Sequence, residues 1–431
     1  MSLFPYDTVV FDLDGTLFNS ERGILSSIHY AMDTLGKPIP EGLDLCEMIG
    51  PPLFDSFQSM LRLTPEQARQ AMVLYKDRFN REGMYLYEVY PRIRAILQTL
   101  RQGGVFLAVA TSKPRSSARA LFRHYGLLRF FHRIAGAEDT GPPADKPDLL
   151  RRALPERRGR AAMVGDRRYD MEAAVACQVE GIGAGYGFGS AEELRRAGAI
   201  YVAPDTEALQ ALLCGDAAPP RGFFLTVEGL DGSGKTTQTD RLERSLLQFG
   251  FQVLRTREPG GCRISEEIRR LVLDPAYGEM CPACEALLIA AARAQHVSQC
   301  IRPAVERGML VLCDRYVDSS LAFQGAGREL GMDTVGQINE PAVDGMRPDA
   351  TVYLAIDHKK ALERRLSASS PDRLEAEDLA FHDRVQRGYE QLMRQHPARF
   401  LIVNAEQCEE AVARDTLAMV LERLSFETGA C

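Results

Sequence analysis

The chain has no apolar run approaching the ~20 residues that cross a bilayer, so no membrane-spanning helix is expected. It also lacks an excess of positive charge. Its 52 Lys and Arg stand against 59 Asp and Glu, for a formal charge of −7. A broad nucleic-acid surface is therefore not expected, although a local basic cleft for phosphates fits that balance. A strand-like run begins within the first ten residues, which leaves no room for a signal peptide. The expectation is a cytoplasmic protein with neither membrane nor nucleic-acid partners. Ten cysteines are scattered along the chain, and a cytosolic setting keeps them reduced. Cys281 and Cys284 form a C-x-x-C with no second pair at zinc-site spacing. Cys262 and Cys300 are the candidates to complete such a site, against plain buried or partly exposed thiols.

What is present is a doubled pattern. The 431 residues exceed one hydrophobic core and suit two α/β domains of roughly 200 residues each. Strand-like runs alternate with amphipathic helical stretches in both halves: TVVFDLD, VFLAVATS and AAMVGD first, then FFLTVEG, FQVLRTRE, MLVLCDR and ATVYLAID. Between them lies LCGDAAPPRG (213–222), whose small residues and Pro-Pro pair suit a linker. The expected boundaries are 1–216 and 217–431.

In the first half, VVFDLDGTLFNS places Asp12 and Asp14 at the end of an apolar strand. Strand ends of an open α/β sheet face the ligand crevice. Asp12 is placed to attack phosphorus and Asp14 to protonate the leaving oxygen. A plain strand-end turn is the bland alternative for a short D-x-D-G. Three later stretches add chemistry: Thr111 ends a second strand as a phosphate-holding hydroxyl, and Lys146 supplies a cation. Asp166 and Asp170 end a third strand as carboxylates suited to Mg2+ together with Asp12 and Asp14. This ordered set resembles the haloacid dehalogenase (HAD) superfamily over about residues 4–213. The resemblance implies a Rossmann-like domain whose residues 18–88 form a helical cap. EMIGPPLFDSF (47–57) and GYGFGSAEELRRAGAIYV (185–202) are similar to the phosphoglycolate phosphatase and 5′-nucleotidase branch. That likeness implies hydrolysis of phosphate monoesters, whereas a β-phosphomutase-like isomerase would share the same four motifs.

In the second half, GLDGSGKT fits G-x-x-x-x-G-K-[ST] between a strand and a helix, the context this phosphate loop requires. Gly229, Leu230, Asp231, Gly232, Ser233 and Gly234 offer backbone to ATP phosphates. Lys235 reaches the terminal phosphates, and the Thr236 hydroxyl can bind Mg2+. TREPGG, AARAQHV, DRYVDSSLAFQGAGREL and PDRLEAEDLAFHDRV follow in order. Together they resemble bacterial thymidylate kinase over about residues 221–425. That implies a P-loop nucleoside monophosphate kinase domain, ATP-dependent phosphorylation of dTMP in dTTP biosynthesis, and a possible homodimer through this half.

The same resemblance implies roles. Asp231 meets the 3′-hydroxyl, Arg257 and Arg315 approach the acceptor phosphate, and Asp314 organises magnesium. Arg293 reads the base with Ser320 and Gln324 beside it, and Phe323 stands where tyrosine is usual. Ile289 replaces the family's stacking phenylalanine. The lid keeps Arg364, Arg365 and Arg373 but has Leu366 and Ala368 where arginines are common. The leading expectation is a bifunctional enzyme acting on small nucleotides and phosphate monoesters. The alternative is a HAD phosphatase regulated by a catalytically weak nucleotide-binding module.

Overall fold

The structure is a computed structural model. It describes residues 4–51, 53–138, 145–215, 217, 221–366, 373–374 and 377–427, the side chains of 365–366 and 425–427 excepted. The chain divides into two compact units, Met1–Pro219 with Gln248–Gly250, and Pro220–Leu247 with Phe251–Cys431. Both are mixed α/β units built on parallel sheets.

The first unit holds β1 (Thr8–Phe11), β2 (Phe18–Asn19), β3 (Glu88–Val89), β4 (Phe106–Pro114), β5 (Arg133–Ala137), β6 (Ala161–Gly165), β7 (Glu180–Ala184) and β8 (Tyr201–Ala203). Six of them form a sheet in the order β5-β4-β1-β6-β7-β8, every pair parallel. β1 is buried along its whole length, as a strand covered on both faces should be, which is why it reads as unbroken apolar sequence. Its last residue, Phe11, stands beside Val109 of β4 and Val164 of β6. The ends of three adjacent strands therefore bring Asp12, Thr111 and Asp166 to one level. The order reverses at β1, and such a switch point is where open α/β sheets bind ligands.

β2 and β3 pair antiparallel, Phe18 opposite Val89. The chain between them is helical, with helices Glu21–Thr34, Leu53–Ser59 and Pro65–Arg81. The last begins at a capping box: Thr64 Oγ1 accepts from the Gln67 amide and Gln67 Oε1 from the Thr64 amide. Pro65 at the first helical position costs no hydrogen bond. Ala68, Ala71, Tyr75 and Phe79 are buried at steps of three and four, so one stripe of this helix faces inward.

The second unit holds β9 (Phe223–Glu228), β10 (Val253–Arg257), β11 (Leu310–Asp314), β12 (Ala350–Ala355) and β13 (Phe400–Asn404), all parallel in the order β10-β11-β9-β12-β13. The phosphate loop leaves the buried end of β9 and enters the helix Lys235–Gln248. The register sets Arg257 beside Asp314 and Asp314 beside Val227. Three strand ends thus converge beside the loop. Leu225, Leu312, Val352, Tyr389 and Leu392 are among the residues of the core beneath them. Among the described residues, no helix is long and apolar enough to cross a membrane.

Candidate functional sites

The first unit gathers three carboxylates, two of them paired with one ammonium. Lys146 Nζ lies 2.6 Å from Asp12 Oδ1 and 2.7 Å from Asp170 Oδ1. Asp12, Asp166 and Asp170 present oxygens within 4.8 Å of one another, all three residues buried. Asp166 Oδ2 accepts from the Phe188 amide at 2.8 Å, and Asp170 Oδ2 from the Arg167 amide at 3.0 Å. One cation cannot balance three buried anions. Burial pushes Asp12 up to about 7, against the pull of Lys146. Asp166 is driven well above the usual carboxylate range by burial and then by Asp12. Burial acts to lower Lys146, but Asp12 and Asp170 more than offset it and hold the ammonium firmly charged. Gly15 is what lets the chain pass this cluster. Its φ is +78°, and a Cβ would sit 2.1 Å from Asp166 Oδ2.

Asp14 stands outside the carboxylate group. Its Oδ2 pairs with Lys113 Nζ at 3.2 Å, so the expectation that it joins a metal-ligating set gains no geometric support. Thr111 is buried, with its hydroxyl accepting from the Lys113 amide at 3.1 Å. Asp12, Asp14, Thr111 and Lys146 all line one cavity of about 370 Å³. A divalent cation suits Asp12, Asp166 and Asp170. Their donors are hard oxygens, and burial first, with mutual repulsion after it, raises Asp12 and Asp166, a cost that such an ion would relieve.

The second unit inverts the balance. Lys235 Nζ donates to the carbonyls of Gly229 (3.1 Å) and Leu230 (2.9 Å) and lies 3.4 Å from Asp231 Oδ1. Arg315 also pairs with Asp231, and it donates to Gly229 O and to Ser319 Oγ. Burial would raise Asp231, yet Arg315 and Lys235 hold it well below the usual range. Burial and then Arg315 lower Lys235. Arg315 has φ +67°, an unusual backbone state for a side-chain-bearing residue. Gly232 (φ +83°) and Gly234 (φ +90°) give the loop its turns.

Thr236 Oγ1 lies 3.3 Å from Asp314 Oδ2, and Asp314 Oδ1 is buried with no hydrogen bond among the described residues. That unsatisfied oxygen beside a hydroxyl fits a hard cation. Lys235, Thr236, Arg257, Asp314 and Arg315 line a cavity of about 880 Å³, with Arg364 at its wall.

A smaller cavity of about 130 Å³ adjoins it and shares Asp231, Glu258, Arg269 and Arg315. Ile289, Arg293, Ser320, Phe323 and Gln324 line it, so all five predicted base-pocket residues come together. Arg293 is 1% exposed. It is fixed by Glu258 (2.7 Å), Ser320 (3.1 Å) and Asn339, and lies over the Tyr316 ring. The Phe323 ring carries the Arg315 guanidinium 4.9 Å from its centre. Arg257 pairs with Glu266 at 3.0 Å.

Of the predicted lid arginines, Arg373 is buried against Glu285 (2.6 Å) and the Val272 carbonyl. Arg364 donates to the Ala405 carbonyl at 2.9 Å. The Arg365 side chain and Ala368 lie outside the described residues. The cysteines described are free, and Cys281 and Cys284 are exposed. Among the described residues the aspartate group of the first unit is the one place where three or more His, Cys, Asp or Glu side chains converge closely enough to share a metal.

Sequence reasoning did not assign several residues that hold these sites. Lys113 stood two residues past Thr111 in a stretch already singled out. Glu258, within TREPGG, accepts from Arg293 and also faces His296 Nδ1 at 3.0 Å. Glu228, the last residue of β9, accepts from the Tyr316 amide (2.7 Å), the Ser319 hydroxyl (2.6 Å) and the Tyr389 hydroxyl (2.8 Å). A carboxylate ending an apolar strand was the available signal for it.

Comparison with known proteins divides along the same line. Residues 227–416 match the family model for thymidylate kinase, and residues 9–184 that for haloacid dehalogenase-like hydrolases. The chain is 43% identical over 203 residues to the thymidylate kinase of Exiguobacterium sp. strain AT1b, covering 47% of this chain and 96% of that protein. It is 48% identical over 205 residues to the thymidylate kinase of Geobacillus thermodenitrificans, covering 47% and 91%. A haloacid dehalogenase-like family hydrolase from Streptococcus pneumoniae aligns with a TM-score of 0.43 at 27% identity, over 49% of this chain and 99% of that one. The chain belongs to the thymidylate kinase family through its second half, joined to a haloacid dehalogenase-like hydrolase domain in its first.

Proposed function

We propose that the chain is a bifunctional enzyme whose second unit uses ATP to phosphorylate dTMP to dTDP, and whose first unit hydrolyses a phosphate monoester. The adjoining cavities of the second unit carry the kinase reading. The wide one holds the phosphate loop, with Lys235 for the phosphoryl group in transfer and Arg257 and Arg315 for the acceptor phosphate. The narrow one would offer Arg293 and Ile289 to the base, with Asp231, which lines both cavities, for the sugar. Catalysis here is positioning plus cationic stabilisation of charge that develops on the equatorial oxygens. Thr236 and Asp314 would hold Mg2+, which offsets phosphate charge. That Lys235, Asp314 and Arg315 line one cavity supports a catalytic rather than a merely regulatory module.

In the first unit, the Asp12 carboxylate attacks phosphorus and forms an aspartyl phosphate as the ester P–O bond breaks. Asp14 gives its proton to the departing alkoxide, then takes one from the water that cleaves the acyl phosphate. Lys146 and Thr111 bind the phosphate oxygens. Asp12, Asp166 and Asp170 would hold Mg2+, whose charge lets an anionic nucleophile approach an anionic ester. The test is direct. Purified full-length protein with Mg2+, ATP and dTMP should yield dTDP, and without ATP it should release inorganic phosphate from monoesters. Absence of dTDP at any enzyme concentration would remove the kinase assignment.

A further inference from the structure

The resemblance that suggests a phosphatase leaves its alcohol half open between a short phosphorylated acid and a nucleoside. The walls of the catalytic cavity separate these. We propose that the site is built for monoesters whose alcohol half is uncharged and carries a ring system of about nucleoside size. This rests on the phosphatase reading of Asp12.

The cavity of about 370 Å³ lies within the roughly 300–1,000 Å³ of sites that enclose organic ligands, which are mostly apolar. Its catalytic floor is polar, and Asn80, Ser116 and Ser117 add neutral polar groups to the wall, but a large part of that wall is apolar. Met48, Leu53 and Phe54 come from the first part of the helical excursion, Tyr75 and Phe79 from the buried stripe of helix Pro65–Arg81, and the half-buried Met72 from the same helix. Tyr75 and Phe79 are stacked with their ring planes 14° apart. A ring entering beside this wall exchanges water for apolar contact.

Charge decides against a short acid. The buried cations of the lining are already engaged: Lys146 by Asp12 and Asp170, and Lys113 by Asp14 and the Tyr87 hydroxyl. Arg167 donates to the Ile49 carbonyl at 2.5 Å and lies 3.3 Å from Glu193. The remaining lysine of the lining, Lys76, is exposed. A carboxylate two bonds from the ester oxygen would meet apolar side chains with no buried cation released to it. Desolvating that charge is costly.

The experiment compares two primary alkyl esters whose scissile bonds are alike, benzyl phosphate and phosphoglycolate, with dTMP as a nucleoside 5′-monophosphate. Full-length protein is assayed in Mg2+ without ATP, alongside Asp12→Asn. The expected result is kcat/KM at least tenfold higher for benzyl phosphate and dTMP than for phosphoglycolate, all of it lost in Asp12→Asn. Met72→Lys, which puts a cation on the wall at a half-buried position, should shrink that ratio by raising phosphoglycolate turnover. If phosphoglycolate is the better substrate and its turnover depends on Asp12, this proposal falls while the phosphatase reading stands. If no ester is hydrolysed, or Asp12→Asn is as fast as the parent, the phosphatase reading fails and this proposal with it.

Discussion

Both units bring their candidate site to the carboxyl ends of neighbouring parallel strands, yet they balance charge in opposite ways. The first sets Asp12 and Asp170 against Lys146 with Asp166 beside those carboxylates, so at its centre carboxylates outnumber the ammonium they share. The second packs Lys235 and Arg315 around Asp231, so its excess is positive. A carboxylate nucleophile must meet an anionic ester, and that requires added positive charge. A kinase supplies no nucleophile of its own and needs only to hold two anionic substrates in line. The same strand-end geometry serves both because topology fixes where side chains converge, not which ones they are.

The sharpest way to break this comparison is to remove the central group of each site. Asp12→Asn should lower phosphatase turnover by about 10³-fold or more while dTMP phosphorylation stays near the parent rate. Lys235→Ala should lower dTDP formation to a similar extent and spare ester hydrolysis. The two rates measured on each folded variant decide it. If one substitution silences both, the sites do not work separately.

Next in size is Glu228. It accepts three hydrogen bonds, from Tyr316 N, Ser319 Oγ and Tyr389 Oη, and Ser319 in turn accepts from Arg315. It is therefore a positioning residue for the loop that carries Asp314 and Arg315. Glu228→Ala should lower kcat by about 10²-fold with a smaller change in KM, as misplacement of a transition-state group does. Glu228→Gln, which keeps the shape, should recover part of that rate. Equal losses in kcat and binding from both variants would indicate general damage instead.

Glu228 also makes a stability prediction. Burial, and then the neighbouring Asp318 carboxylate, raise it to about 7 despite Arg315. A carboxyl group whose folded value lies above its unfolded value near 4.3 holds its proton more tightly in the native state. Its contribution is full below about pH 4.3, declines as pH rises to about 7, and is constant above. The loss is at most about 4 kcal/mol. Urea unfolding followed by circular dichroism at pH 5 and pH 7.5 should show the second unit weakening in the parent. In Glu228→Gln that difference should shrink.

These residues also mark how far the sequence could be read. The phosphate loop was legible because Gly229 to Thr236 carry their chemistry in one contiguous stretch. Asp12, Thr111 and Asp166 were legible for a different reason. Each follows an apolar strand, and strand ends converge whatever lies between them. Glu228 obeyed the same rule but was masked by the glycine loop that follows it. Arg373 pairs with Glu285, 88 positions away, and Glu258 meets Arg293 and His296 across two elements. Such partners depend on how helices pack, and no local spacing encodes that. The aromatic wall of the first cavity was hidden likewise. The period of helix Pro65–Arg81 showed that one face is buried but not what that face encloses.

The smallest effect concerns Ile289, one of the positions where the resemblance leads one to expect a different residue. It is 6% exposed and lines the narrow cavity. An aliphatic wall gives a base dispersion contact but not the ring–ring term, which is worth about 0.5–1.5 kcal/mol, or roughly 2–12-fold in affinity. Overpacking opposes this gain, because inserting bulk into a filled site costs about 1–3 kcal/mol. The open volume of about 130 Å³ beside Ile289 tips the balance, since a phenyl ring can lean into space that already exists. Ile289→Phe should therefore lower the KM for dTMP a few-fold. The stacking contact is the same in the ground and transition states, so kcat should hardly move. Steady-state kinetics with dTMP as the varied substrate reads both parameters. A rise in KM would mean that the ring fills the cavity itself, and that the pocket is shaped around isoleucine.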